Sequence, residues 1–231
     1  MVLNNLAHQY GDQVAVVSVY SSSGSPPFYN PAANQKIHQY PPPYWYNHSW
    51  YFATPWLWVD GSKHPAYLTN TWQTYINNRL QVVSDLDIQL FGNYNPQTNI
   101  LDLQMSISNT GMDTIRGRLH SALTENGILW HAPNGQQVHN HVPRIWWPDA
   151  DGLPVSIPPG DTEIQFANWN IGSTWNADSL WIMAFVQDNV MQPDTTIEIF
   201  QGAVLKMSDI VTSIERNRNN ITAGFQLYQN Y

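Results

Sequence analysis

Near residue 84 the hydrophobic period of this chain changes from helical to alternating, and that change divides what it can fold into. Upstream, apolar residues recur at helical spacing: Val2, Leu3, Leu6, Ala7 and Tyr10 before Gly11, then Ala33, Ile37 and Tyr40, then Trp72, Tyr75, Ile76, Leu80 and Val83. Downstream, Leu86, Ile88 and Leu90 alternate with Asp87 and Gln89. Leu101, Leu103, Met105 and Ile107 alternate with Asp102, Gln104 and Ser106, so each strand has one wet face.

Further strands are expected over Arg118–Thr124, Ser179–Gln187 and Thr196–Leu205, with Gly92–Asn99 as a turn-rich loop. Short strands without helical pattern indicate an antiparallel, immunoglobulin-like β-sandwich. In the first part, the β-branched run Val14–Tyr20 predicts a strand buried on both faces. Asn30-Pro31 reads as a helix N-cap followed by Pro in the first turn, and Pro41-Pro42-Pro43 ends that helix. Trp56–Val59 predicts a strand closed by the Asp60-Gly61 turn, and Thr69–Thr71 offers caps for the helix that follows. The fold class is therefore α+β: an α/β segment over 1–84, a sandwich over 85–206, and a polar linker or tail over 207–231. Opening inside an amphipathic helix, the chain is expected to lack an upstream piece.

Composition removes several functions. The chain has no cysteine, which excludes disulfides, thiolate metal sites and a thiol nucleophile from these residues. Nine basic residues and a net charge of −8 argue against tracking a phosphate backbone, so no nucleic-acid partner is expected. Charged residues are 11% of the chain, against about 25% in an average soluble domain. Eleven Trp and twelve Tyr stand in their place, a balance that suits an extracellular β-protein. No apolar run approaches the ~20 residues of a transmembrane helix, and no signal-peptide pattern opens the chain as given.

Thr54-Pro55 stands directly before WLWVDG, as the cis-proline does in thioredoxin-like folds. With YGDQVAVVSVY, TPWLWVDG, VHNHVPR followed by DADGLPV, and LWIMAFVQD, residues 1–206 resemble the thioredoxin-like, outer-membrane-protein-28-related family of secreted bacterial proteins. The resemblance implies a thioredoxin-like segment missing its first strand and its Cys-x-x-Cys helix start, followed by a β-sandwich. It implies no redox role here, because thiol exchange needs a thiolate. The terminal GFQLYQNY is similar to the opening of the sorting domain used in bacterial type IX secretion. Both resemblances imply an extracellular or outer-surface location.

Three groups are candidates for function. Thr54, Pro55 and Trp56 would border a peptide-binding groove by strand addition if the thioredoxin-like segment keeps it. Trp45 and Trp50 lead an aromatic run, Tyr44–Trp58, that suits stacking on sugar rings, with part of the run expected in the core. His139 and His141 are two apart, on one face if extended, and with His131 predict a zinc or copper site; hydrogen-bonding loops beside Arg144 is the bland alternative. No Gly-x-Ser-x-Gly, HExxH or phosphate-cradling Gly loop is present, so no enzyme signature is read. The expected function is binding or assembly. In assembly, an open thioredoxin-like sheet edge would be filled from another subunit, giving a dimer or filament. The alternatives are a glycan- or peptide-binding module and a His-based metal enzyme.

Overall fold

Local chemistry at the helix ends shapes the first part. α1 (Val2–Tyr10) stops at Gly11, which takes the left-handed φ of +56° that favours glycine. α2 (Pro31–Ile37) begins on Asn30, whose Oδ1 accepts from the Ala33 amide at 3.0 Å, with Pro31 in the first helical position. Past Pro41–Pro43 the chain makes a tight hairpin, β1 (Tyr44–Tyr46) with β2 (Ser49–Tyr51). A second hairpin pairs β3 (Trp58–Val59) with β4 (Ser62–Lys63) across Asp60-Gly61, and α3 (Trp72–Arg79) completes this part. Leu6 of α1 meets Trp72 and Ile76 of α3, with Trp56, Leu57 and Val59 packed around them. This is a computed structural model, and it describes residues 2–20, 28–52, 56–63, 68–132 and 135–210.

Two expectations fail here. Val14–Tyr20 enters no sheet, because β1–β2 and β3–β4 each pair locally and leave it no ladder. Ser18 instead donates its amide to the His141 carbonyl at 2.8 Å. α3 ends at Arg79 rather than running to Val83, which is 90% exposed. The Val82 amide bonds back to the Arg79 carbonyl at 3.0 Å, a tightened last turn, while the Arg79 guanidinium leaves for Asp60 and Glu198.

The alternating half forms a β-sandwich of antiparallel strands. β5 (Leu86–Asn95) and β6 (Ile100–Asn109) are followed by the long β7 (Ile115–Glu125), the short hairpin β8 (Ile128–Leu129) with β9 (Val138–His139), then β10 (Val142–Trp147) and β11 (Leu153–Ile157). β12 (Thr162–Asn170), β13 (Leu180–Asp188) and β14 (Ile199–Lys206) complete it. One sheet has the order β12-β6-β5; the other runs β10-β7-β13-β14, with β11 pairing the first half of β7 and β10 the second. β5 reaches into the stretch expected as loop, leaving Pro96–Asn99 as the turn, with Asn95 Oδ1 accepting from the Gln97 amide at 2.9 Å.

Inward residues of both sheets, among them Leu103, Met105, Ile107, Leu123, Ile182 and Val186, make one apolar cluster. Met207 and Ile210 join it, so the chain remains part of the core beyond the expected boundary at 206. The outer face of the second sheet is covered as well. Lys36 of α2 reaches His120 on β7, Gln187 Nε2 on β13 donates to the Tyr40 hydroxyl oxygen, and Asn30 Nδ2 donates to the Arg144 carbonyl. Burial on both faces explains why LWIMAFVQD reads as nearly continuous apolar sequence. The molecule thus has three layers: the first-part segment, the second sheet and the first sheet.

Candidate functional site

The sequence YWYNHSWY folds as a two-residue hairpin because Asn47 and His48 both take left-handed φ values, 45° and 60°, which match the twist of the paired strands. The register sets Tyr44 opposite Tyr51, Trp45 opposite Trp50 and Tyr46 opposite Ser49. Alternation then sorts the rings. The Trp45 and Trp50 rings meet at 5.2 Å on one face, with His48 edge-on to Trp45 at 6.5 Å. Tyr44 and Tyr46 lie nearly parallel at 6.2 Å on the other.

All six strand residues are exposed, Trp45 at 52%, Trp50 at 54% and Tyr46 at 63%. Aromatic pairs contribute about 0.5–1.5 kcal/mol each, which supports a hairpin that joins no larger sheet and would be marginal without them. The hairpin is seated at both ends: Tyr40 packs near Trp58 at 5.5 Å, and Phe52 against His38 at 4.3 Å. Two indoles, three phenols and the polar turn Asn47-His48-Ser49 therefore stand in solvent on a fixed base. Of the run Tyr44–Trp58, Trp56 and Trp58 go the other way, half-buried beside α3 and Tyr40. Thr54 and Pro55 lie outside the described residues; the cis peptide among the described residues is Trp147-Pro148.

The three histidines are not gathered. His139 is buried, its Nδ1 accepting from the Tyr20 hydroxyl at 2.9 Å and its Nε2 donating to the Trp130 carbonyl at 3.2 Å. Its ring stacks on Phe28 at 4.3 Å. Both nitrogens are spent on the protein, and burial also raises the Tyr20 hydroxyl pKa. His141 lies beyond the end of β9 with a φ of 58°, so the alternation that would have aligned it with His139 does not apply. His131 is exposed. Among the described residues no three His, Cys, Asp or Glu side chains come close enough to share a metal. Zinc or copper at these histidines would require His139 to abandon both partners.

The buried polar groups were not read from the sequence. Glu125 accepts from Arg144 Nε at 2.7 Å and from the Asn176 amide at 3.0 Å, with the two side chains 8% and 12% exposed. Lys36, inside the interface of the first two layers, donates to Gln39 Oε1 at 2.9 Å and to His120 Nε2 at 3.1 Å. A donor on Nε2 means His120 is neutral, and burial, reinforced by the Lys36 charge, pushes its pKa down to about 3. Burial alone pushes His141 down to about 4, and Lys36 is pushed down to about 8 by the same cause. Gln187 was visible as a polar letter at the end of the apolar run LWIMAFVQD, whereas His120 lies in a strand with several other polar residues and carried no such signal.

These histidines predict an acid limb in stability. Between pH 6.5 and their folded values the unfolded chain binds more protons, so stability falls as pH drops through that window, and the two histidines add no slope above it. Each contributes a slope of about 1.4 kcal/mol per pH unit. Guanidinium unfolding at about pH 4.5 and about pH 7 checks this, with His120→Phe expected to remove one proton's share of the slope. An unchanged slope in that variant would refute the assignment.

Residues 50–207 match the family of outer membrane protein Omp28. The chain belongs to that family. Among solved structures it is similar to a domain of the outer membrane lipoprotein Omp28 from Porphyromonas gingivalis, at 16% identity and a TM-score of 0.38, covering 57% of this chain and 92% of that one. It is also similar to a β-glucosidase from Listeria innocua in complex with glucose, at 9% identity and a TM-score of 0.26, covering 51% of this chain and 15% of that one. These are similarities alone. No curated protein matches the sequence. The match to the Omp28 family begins inside the aromatic hairpin, at Trp50, so β1 and its turn lie ahead of the matched region. Among the described residues of this Omp28-family chain, no helix is long and apolar enough to cross a membrane.

Proposed function

We propose that this Omp28-family chain is a non-catalytic surface protein of the bacterial cell envelope that holds an extracellular glycan on the hairpin Tyr44–Tyr51. The observation that carries the proposal is the Trp45–Trp50 pair, both rings more than half exposed beside the polar turn Asn47-His48-Ser49. Indole faces suit the apolar faces of sugar rings, and the turn supplies donors and acceptors for hydroxyls. A monomer gains nothing in solubility by displaying five large aromatic rings together, whereas a recognition surface does. The envelope location is supported by the family description, and the low charge and high aromatic content agree with it.

The same reading takes residues 1–84 as a thioredoxin-derived scaffold that has kept no redox chemistry, with 85–206 as the sandwich domain. It takes Gly224–Tyr231 as the start of a type IX secretion sorting sequence.

A glycan array followed by calorimetry tests the proposal. Saturable binding by the wild-type chain is expected, reduced at least about tenfold by Trp45→Ala and by Trp50→Ala. Each substitution is expected to cost less than about 1.5 kcal/mol of stability, since these rings are outside the core. Binding that survives both substitutions would remove the hairpin from the site, and a silent array would remove the glycan.

A further inference from the structure

We infer that the free edge of β12 is an interface at which two copies of this chain pair antiparallel, joining their first sheets into one continuous sheet of six strands. β12 ends the order β12-β6-β5, and the parity of its ladder is set at both ends. The Asn109 amide donates to the Asp161 carbonyl at 3.0 Å, and the Ile171 amide donates to the Asn99 carbonyl at 2.8 Å. Odd-numbered residues of β12 therefore bond to β6. Even-numbered residues, Thr162, Ile164, Phe166, Asn168 and Asn170, turn their amides and carbonyls to the open edge.

Those same even-numbered residues face outward, and Ile164 and Phe166 are 49% and 68% exposed. Phe91 on β5, 51% exposed, completes a row Phe91–Gln104–Phe166 across the sheet. Natural edges are blunted by Lys, Pro, bulges or inward charges. β12 carries no Lys and no Pro, and its register with β6 is unbroken over all nine residues; its one inward charge, Glu163, stands next to the start of the strand and accepts from Gln165 Nε2 at 2.8 Å.

The edge is complementary to itself. A two-fold axis at Phe166 pairs every residue of β12 with one of its copy: Phe166 with Phe166, Ile164 with Asn168, Thr162 with Asn170. This register makes the even-numbered residues the hydrogen-bonded pairs, which the free amides and carbonyls require. The single charged residue of the strand, Glu163, falls opposite Trp169 and lies about 20 Å along the strand from its own copy. The chain's net charge of −8 is therefore not concentrated at the contact, and a second copy is the occupant that matches the edge in length, register and charge.

The absence of cysteine makes the register directly readable. Hydrogen-bonded antiparallel residues have Cα atoms about 5.5 Å apart, within disulfide range. In the cysteine-free background, Phe166→Cys is expected to cross-link to its copy under diamide at least about tenfold faster than Asn168→Cys, whose own copy lies about 13 Å away. Light scattering across a concentration series should show the wild-type mass rising from 26.4 kDa toward twice that value. Ile164→Pro removes an edge-directed amide without touching the β6 ladder, and is expected to keep the circular dichroism spectrum and remain at 26.4 kDa. A wild-type chain that stays monomeric throughout overturns the proposal. So does association in which the two cysteine variants cross-link equally, which would place the contact elsewhere.

Discussion

Glu125→Ala is expected to lower the unfolding free energy by about 3–5 kcal/mol, although it removes a surface-type residue and creates little cavity. The reason is its partner. Arg144 is 12% exposed and its Nε donates to Glu125 Oε2 at 2.7 Å. Its guanidinium also lies 5.7 Å from the Trp175 ring centre. Truncating Glu125 leaves that cation buried with its counter-charge gone, and it orphans the Asn176 amide that Glu125 Oε1 accepts at 3.0 Å. Removing both charges in Glu125→Leu with Arg144→Met should recover most of the loss, because the pair's attraction and its desolvation cost disappear together. Guanidinium denaturation of the two variants checks this; a single-variant loss under about 1 kcal/mol would mean water reaches the pair and screens it.

The second large effect is expected at the junction of the first segment with the sandwich. A Cβ on Gly61 would sit 1.8 Å from the Ile197 carbonyl oxygen, and Gly61 has a φ of +77°. Neither problem is relieved by a side-chain rotation, because the obstructing atom is backbone. That contact is bonded: the Ile197 amide donates to the Gly61 carbonyl at 3.2 Å and the Ile199 amide to the Asp60 carbonyl at 3.0 Å. Gly61→Ala should therefore cost about 3 kcal/mol or more and expose both amides to hydrogen exchange. Gly127→Ala separates the causes, since Gly127 has a φ of +73° with nothing within 4 Å of an added Cβ. It should cost only the left-handed backbone penalty, about 1–2 kcal/mol. Equal losses at the two positions would show that the β3–β4 turn can leave β14 freely.

The alternating half of the chain was legible because burial on one face writes itself into the sequence with a period of two. β5, β6, β7, β13 and β14 all fall on runs expected as strands. β12 was missed for the reason that makes it interesting: its outward positions include Ile164 and Phe166, so the apolar-polar contrast is erased. The first part was legible where local chemistry decides, as at the Asn30-Pro31 cap and the Asp60-Gly61 turn. It was not legible where pairing decides. Val14–Tyr20 has the composition of a central strand, but a strand needs neighbours, and its neighbours fold back on themselves.

The same limit applies to the candidate sites. An aromatic run can be counted, but only the hairpin register separates the displayed Trp45 and Trp50 from the half-buried Trp56 and Trp58. His139 and His141 are close in sequence, yet one left-handed residue sends them to different surroundings. Conversely, Lys36 and His120 are far apart in sequence, and no local pattern announces that they touch.

The order of the three layers carries a consequence for valency. The hairpin Tyr44–Tyr51 belongs to the layer on one side of the second sheet, and β12 belongs to the layer on the other. Joining two chains along β12 consumes neither hairpin, so the pair would present two identical aromatic surfaces on one rigid body. On a repetitive polymer, the second surface engages from an effective concentration set by that fixed spacing rather than from bulk solution. Weak individual stacking would then suffice for long residence, and attachment would respond steeply to how densely the chain is displayed.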